Sequence, residues 1–104
     1  MFNKGDILVS VFGYDCQLVN FFQVVRATEK TCWIQQIDWK FVSEDGYGQA
    51  GEVIPDTTRF GSNGTKTLAK RQPDVNSEYP CVKISSYQRA YKWDGKPVHY
   101  DSYD

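Results

Sequence analysis

The sequence predicts an all-β or β-rich fold, with about five antiparallel strands in a small SH3-like or OB-like barrel or bent sheet. Three observations carry this expectation. Residues 5–39, GDILVSVFGYDCQLVNFFQVVRATEKTCWIQQIDW, read as three consecutive strands with a polar elbow after the first and a tight turn after the second. No amphipathic helix of four turns can be drawn anywhere in the chain. Aromatic residues make up 15% of the composition, and Tyr and Trp, with an apolar body and a polar tip, suit both a compact β core and a contact surface.

The strands follow in order. The first spans about Asp6–Phe12, with Ile7, Val9 and Val11 on one face and Leu8, Ser10 and Phe12 on the other. Gly13-Tyr14-Asp15 breaks it. The second spans about Phe21–Thr28, with Phe22 and Val24 on one face and Phe21, Val25 and Ala27 on the other, as expected of a central strand that curls. Thr28-Glu29-Lys30-Thr31 is a turn without glycine, which favours a four-residue loop built on a type I turn. The third spans about Cys32–Trp39, and its apolar phase slips at Gln35-Gln36, which predicts a β-bulge there. A fourth is expected at Thr65–Lys70 and a fifth at Cys81–Ser85. The tail carries a turn at Asp94-Gly95 and a helical turn around Ser86–Tyr91.

A chain of 104 residues, 40% apolar and 24% charged, reads as one globular domain spanning 1–104. Residues 43–64 hold five of the eight glycines and read as a long flexible loop, interrupted by a short strand at Gly51–Ile54. Three cysteines without a CxxC pair read as free thiols in a reducing compartment, and no apolar run has signal or membrane-spanning length. A cytoplasmic location is the expectation.

The chemistry-bearing residues are sparse. His99 is the one histidine, with Asp101 two residues on, and a general base needs an orienting partner and a reacting group. Cys16, in the elbow, is the thiol outside the expected strands, and pairing it with His99 is the one route to cysteine nucleophilic catalysis. Three scattered cysteines and one histidine do not make a structural zinc site. Residues 61–67, GSNGTKT, lack the glycine spacing of a phosphate loop, and Asp38, Glu44, Asp45, Glu52 and Asp56 fit no calcium loop. No catalytic residue, metal or cofactor is assigned, and the expectation is a protein that binds and does not catalyse.

Two surface constellations remain. Net charge is −1, but residues 1–60 carry five Lys/Arg against eight Asp/Glu, while 61–104 carry seven against five. The basic half interleaves Lys66, Lys70, Arg71, Lys83, Arg89, Lys92 and Lys96 with Tyr79, Tyr87, Tyr91 and Trp93. Cations that hold phosphates and flat rings that stack bases are what single-strand binding uses, and small barrels commonly bind this way. The same residue types also dominate protein interfaces. The second constellation is the acidic 43–56 segment, with Glu44, Asp45, Tyr47, Glu52 and Asp56, able to engage a basic groove on a partner.

The blocks GDILVSVFGYD…VNFFQVVRATEKTCWIQQI and YQRAYKWDGKPVHYDSY resemble a family of small uncharacterised proteins of bacteriophages and mobile elements. The resemblance covers roughly half the chain, at its two ends, and leaves residues 40–80 unmatched. It implies a phage-encoded protein in the cytoplasm of a bacterial host. By association with that class, it implies an inhibitor of host defence or host machinery, including anti-CRISPR proteins that block a Cas nuclease by occupying a nucleic-acid or domain-docking surface. The implied partner is a host protein or ribonucleoprotein, with direct nucleic-acid binding as the alternative and no membrane. The family brings no catalytic residues.

Overall fold

A computed structural model describes residues 1–13, 17–44, 50–60, 67–74, 76–86 and 88–101. These residues form eight strands: β1 (Ile7–Phe12), β2 (Leu18–Ala27), β3 (Thr31–Glu44), β4 (Ala50–Phe60), β5 (Thr67–Arg71), β6 (Cys81–Ser85), β7 (Gln88–Lys92) and β8 (Val98–Asp101). There is no helix among them, and so none long and apolar enough to cross a membrane. All pairings are antiparallel, in a single open sheet ordered β6-β7-β1-β2-β3-β4-β8. β5 pairs with β3 as a side branch.

The 14-residue β3 organises this topology. One of its edges lies along β2, and the other is shared by two strands in turn. Residues 31–35 pair with β5, and residues 37–44 with β4. The change of partner falls at a register shift, where Ile37 opposes Phe60 but Asp38 opposes Asp56, so residues 57–59 of β4 stand out of the ladder. β8 then pairs with the start of β4, and its last residue bridges back to the approach to β2. Gln17 N donates to Asp101 O at 2.7 Å, and Asp101 N to Gln17 O at 2.8 Å.

Side chains alternate across a strand, so β1, β2 and β3 offer two faces, and both are buried. Leu8, Phe22, Val24, Cys32 and Ile34 lie on one face and form the first core with Phe2, Val82 and Ala90. Val19, Phe21 and Ile37 lie on the other and form the second core with Val53. Trp39, Phe41, Trp93 and Tyr100 pack on this second core. Their rings meet at angles that suit aromatic quadrupoles: Trp39 lies 5.1 Å from Phe41 and 4.7 Å from Tyr100, and Trp93 stands edge-on to Phe21 at 6.1 Å. Burial pushes the Cys32 thiol above its usual range, which keeps it protonated.

The two-core arrangement explains the phase slip in the third strand, and it corrects the expectation of a bulge. Gln35 and Gln36 pair regularly with Gln23 and Phe22. Ile34 and Ile37 point to opposite faces because each face has its own core. The bulge sits in β2 instead. Val24 opposes Ile34 and Arg26 opposes Trp33, which leaves Val25 out of register and turns Ala27 toward the first core.

Three other expectations change. Residues 50–60, read as half of a long loop with a short strand at 51–54, are one eleven-residue strand. Pro55 is tolerated because the β4–β8 ladder ends at Val53, so the outer edge of β4 has no ladder there to break. Residues 88–92, read as part of a helical turn, are β7. Eight strands replace about five, the additions being β4, β7 and β8. The two expected turns are present. Thr28 N donates to Thr31 O at 2.8 Å, closing the β2–β3 hairpin. Asp94 Oδ1 accepts Lys96 N at 2.9 Å, with Gly95 at φ 87°, a backbone conformation that favours glycine.

Candidate nucleic-acid interface

β5 and β6 lie side by side without pairing, and the sheet stays open between them. Their seam forms an open groove of about 1330 Å³. Its cationic lining comes from four separate segments: Lys30 from the β2–β3 hairpin, Lys70 and Arg71 from β5, Lys83 from β6 and Arg89 from β7. Glu29 and Asp74 are the acidic residues of the lining. Lys70 is half-buried and reaches across the seam, its Nζ lying 3.5 Å from Ile84 O. Lys30, Arg71, Lys83 and Arg89 are exposed and have no ion-pair partner among the described residues.

Gln72 holds the wall of the groove. Its Nε2 donates to Phe2 O at 2.8 Å and Thr28 O at 3.1 Å, and its Oε1 accepts Phe2 N at 2.9 Å. Its own N donates to Lys30 O at 2.9 Å. One buried side chain therefore ties the N-terminus, the β2–β3 hairpin and the exit of β5 together. That fixes Lys30 beside Arg71, as the Thr31–Arg71 register requires.

The basic aromatic residues of the sequence divide between surfaces. Lys70, Arg71 and Arg89 meet in the groove, joined by Lys83, which opposes Arg89 directly. Tyr91 opposes Cys81, itself a groove residue, and is 44% exposed. Lys92 points to the opposite face, beside Leu8, with its Nζ 3.9 Å from Asp6 Oδ1. Trp93 is an anchor of the second core, and its Nε1 donates to Lys96 O at 2.7 Å. Lys96 is exposed in the turn after β7, apart from the groove lining. Lys66 and Tyr87 lie outside the described residues.

The acidic constellation lies on β3 and β4 and the segment that joins them. Glu52 is exposed on β4. Asp56 is half-buried opposite Asp38, and each of these residues has an interaction partner. The Glu44 side chain, Asp45 and Tyr47 lie outside the described residues.

Lys30 was left out of the basic constellation because it sits in the acidic half of the sequence, 40 positions from Lys70. The signal that could have found it is the hairpin turn itself, which projects its central residues. His99 is exposed, opposite Glu52, and its carbonyl accepts Gln17 Nε2 at 2.7 Å. Cys16 lies outside the described residues. Among the described residues, no cluster of three or more His, Cys, Asp or Glu is placed to hold a metal ion. The arrangement in the groove can bind anions along two strand edges. In comparisons with known proteins, no family model, no curated protein and no solved structure matches this chain.

Proposed function

We propose that the chain is a non-enzymatic nucleic-acid-binding module and that the β5–β6 groove is its contact surface. The observation that carries this reading is the convergence of Lys30, Lys70, Arg71, Lys83 and Arg89 on one groove in a chain of net charge −1. Composition alone would scatter these charges, whereas the fold gathers them. An open groove with cations on both walls suits a polymeric anion better than a small one, because a polymer can use all of them at once and release a counterion at each. The test is a titration of fluorescently labelled oligonucleotide, read by anisotropy over a range of salt. Affinity is expected to fall steeply with salt, with a log–log slope of about −0.7 for each phosphate neutralised on a single strand. Replacing Lys83 and Arg89 with Gln should flatten that slope by about 1.4. Absence of binding at about 50 mM salt would remove the reading.

The resemblance to bacteriophage proteins supports a second reading. In it the chain is a phage-encoded inhibitor in the cytoplasm of a bacterial host, blocking a Cas nuclease by occupying a nucleic-acid or docking surface. The observation that favours it is the exposure of Glu52 on β4, outside the residues that line the basic groove. An acidic surface there could engage a basic channel of the nuclease. Under this reading Glu52→Lys weakens capture of a Cas ribonucleoprotein, while Lys83→Gln does not. Failure to capture any Cas effector at micromolar concentration would count against it.

A further inference from the structure

We propose that the groove selects unpaired strands, and that Tyr91 is the platform on which one base stacks. The proposal rests on the nucleic-acid reading and deepens it. Ring exposure and strand register carry it together. Directly opposed residues in antiparallel strands project side by side on one face. The pairs Ile37–Phe21, Phe21–Val9, Val9–Tyr91 and Tyr91–Cys81 therefore form one row across β3, β2, β1, β7 and β6. Ile37 and Phe21 are buried in the second core at 1% and 0% exposure, whereas Tyr91 is at 44%. The row leaves the core at Tyr91 and enters the groove lining at Cys81. One step along the strands on the same face stands the directly opposed pair Lys83 and Arg89, both in the groove.

This places a flat, half-exposed ring on the same sheet face as two cations that have no ion-pair partner among the described residues. A strand whose phosphates follow Lys83 and Arg89 brings a base over Tyr91. In a duplex the bases are already stacked on one another, so none is free to lie on the ring, and only the charge attraction remains. Three other rings among the described residues are engaged. Trp93 is edge-on to Phe21 with its N–H bonded, Tyr100 lies against Trp39 and Phe41, and one face of Trp33 carries the Arg26 guanidinium at 4.6 Å. Tyr79 is 72% exposed but lies in the connector before β6, whereas Tyr91 is held in the strand register directly opposite the groove residue Cys81.

The experiment compares a single strand and a duplex of equal length on the wild type and on Tyr91→Ala, Tyr91→Phe and the Lys83→Gln, Arg89→Gln double variant, with thermal melts to confirm folding. The wild type is expected to bind the single strand at least about tenfold more tightly than the duplex. Tyr91→Ala should lose about 10- to 100-fold on the single strand, with duplex binding and salt slope unchanged, and Tyr91→Phe should retain the preference. The double variant should weaken both and flatten the slope. Three results would overturn the proposal. If Tyr91→Ala leaves single-strand affinity intact while the double variant still weakens binding, the stacking role falls and the groove reading stands. If an acidic peptide binds with the same dependence on Tyr91, the selectivity falls. If neither oligonucleotide binds at low salt, this proposal and the reading beneath it fall together.

Discussion

Over β2 and β3, the face that carries Val19, Phe21 and Ile37 is roofed by Trp39, Phe41, Trp93 and Tyr100; over β6 and β7, the same face of the same sheet carries Cys81, Lys83, Arg89 and Tyr91 and has no roof among the described residues. The two regions share a pleat, a register and even a row of side chains, yet one is a core and the other a charged surface. The difference lies in what the chain does later. β4 and β8 close over the β2–β3 side, and Trp93 reaches back onto Phe21 as the chain leaves β7. No later segment among the described residues crosses the β6–β7 side. Alternation assigns a side chain to a face, but it takes long-range topology to decide whether that face is covered.

The largest effect should come from breaking the covered half. Phe21→Ala removes a fully buried ring from the row, and a loss of about 3–5 kcal/mol is expected in urea denaturation. Tyr91→Ala, two places along the same row, should cost no more than about 0.5 kcal/mol. Equal losses would mean that the two halves are not distinct. Gln72→Ala comes next. It leaves the buried backbone of Phe2 without its side-chain partners and frees the hairpin that holds Lys30, for about 2 kcal/mol. It should also weaken oligonucleotide binding, because it acts on the wall of the groove. A variant that loses stability but keeps full affinity would separate that wall from the binding surface. The smallest effect is expected at Lys92, whose exposed contact with Asp6 at 3.9 Å contributes under about 0.5 kcal/mol. Because Lys92 points to the opposite face from Tyr91, Lys92→Gln should leave affinity where it was. A loss as large as that of Lys83→Gln would erase the distinction between faces.

Much of the covered half was legible in the sequence. The β-branched and aromatic alternation predicts strands at Asp6–Phe12 and Phe21–Thr28, against Ile7–Phe12 and Leu18–Ala27 observed; in the bare half, Cys81–Ser85 matches β6. β4 was not legible. From Pro55 onward it read as loop, and it continues as a strand because β3 runs beside it, with Val53 and Ile54 finding Phe41 and Lys40, a pairing that depends on contacts outside the segment. β7 was hidden for a similar reason. Gln88 and Ala90, its inward residues, carry no β signature, and their burial comes from packing between β1 and β6. The charges of the groove were visible as a count, since Lys70, Arg71 and Arg89 stand in the basic half. Their division from Lys92 was not visible, because adjacent residues of a strand face opposite ways and the sequence does not say which face is bare. Trp93 shows the same limit. Its residue type fits a stacking platform as well as an anchor, and the edge-on contact with Phe21 makes it the anchor.

The most direct test of the groove is a map of backbone amide shifts as a short single-stranded oligonucleotide is titrated into the labelled protein. The account predicts perturbations concentrated in the Thr28–Thr31 hairpin, β5, β6 and β7, with the largest around Lys83, Arg89 and Tyr91, and quiet amides in β4 and β8. Perturbations centred on β4 and β8, or none at an oligonucleotide excess in low salt, would contradict it.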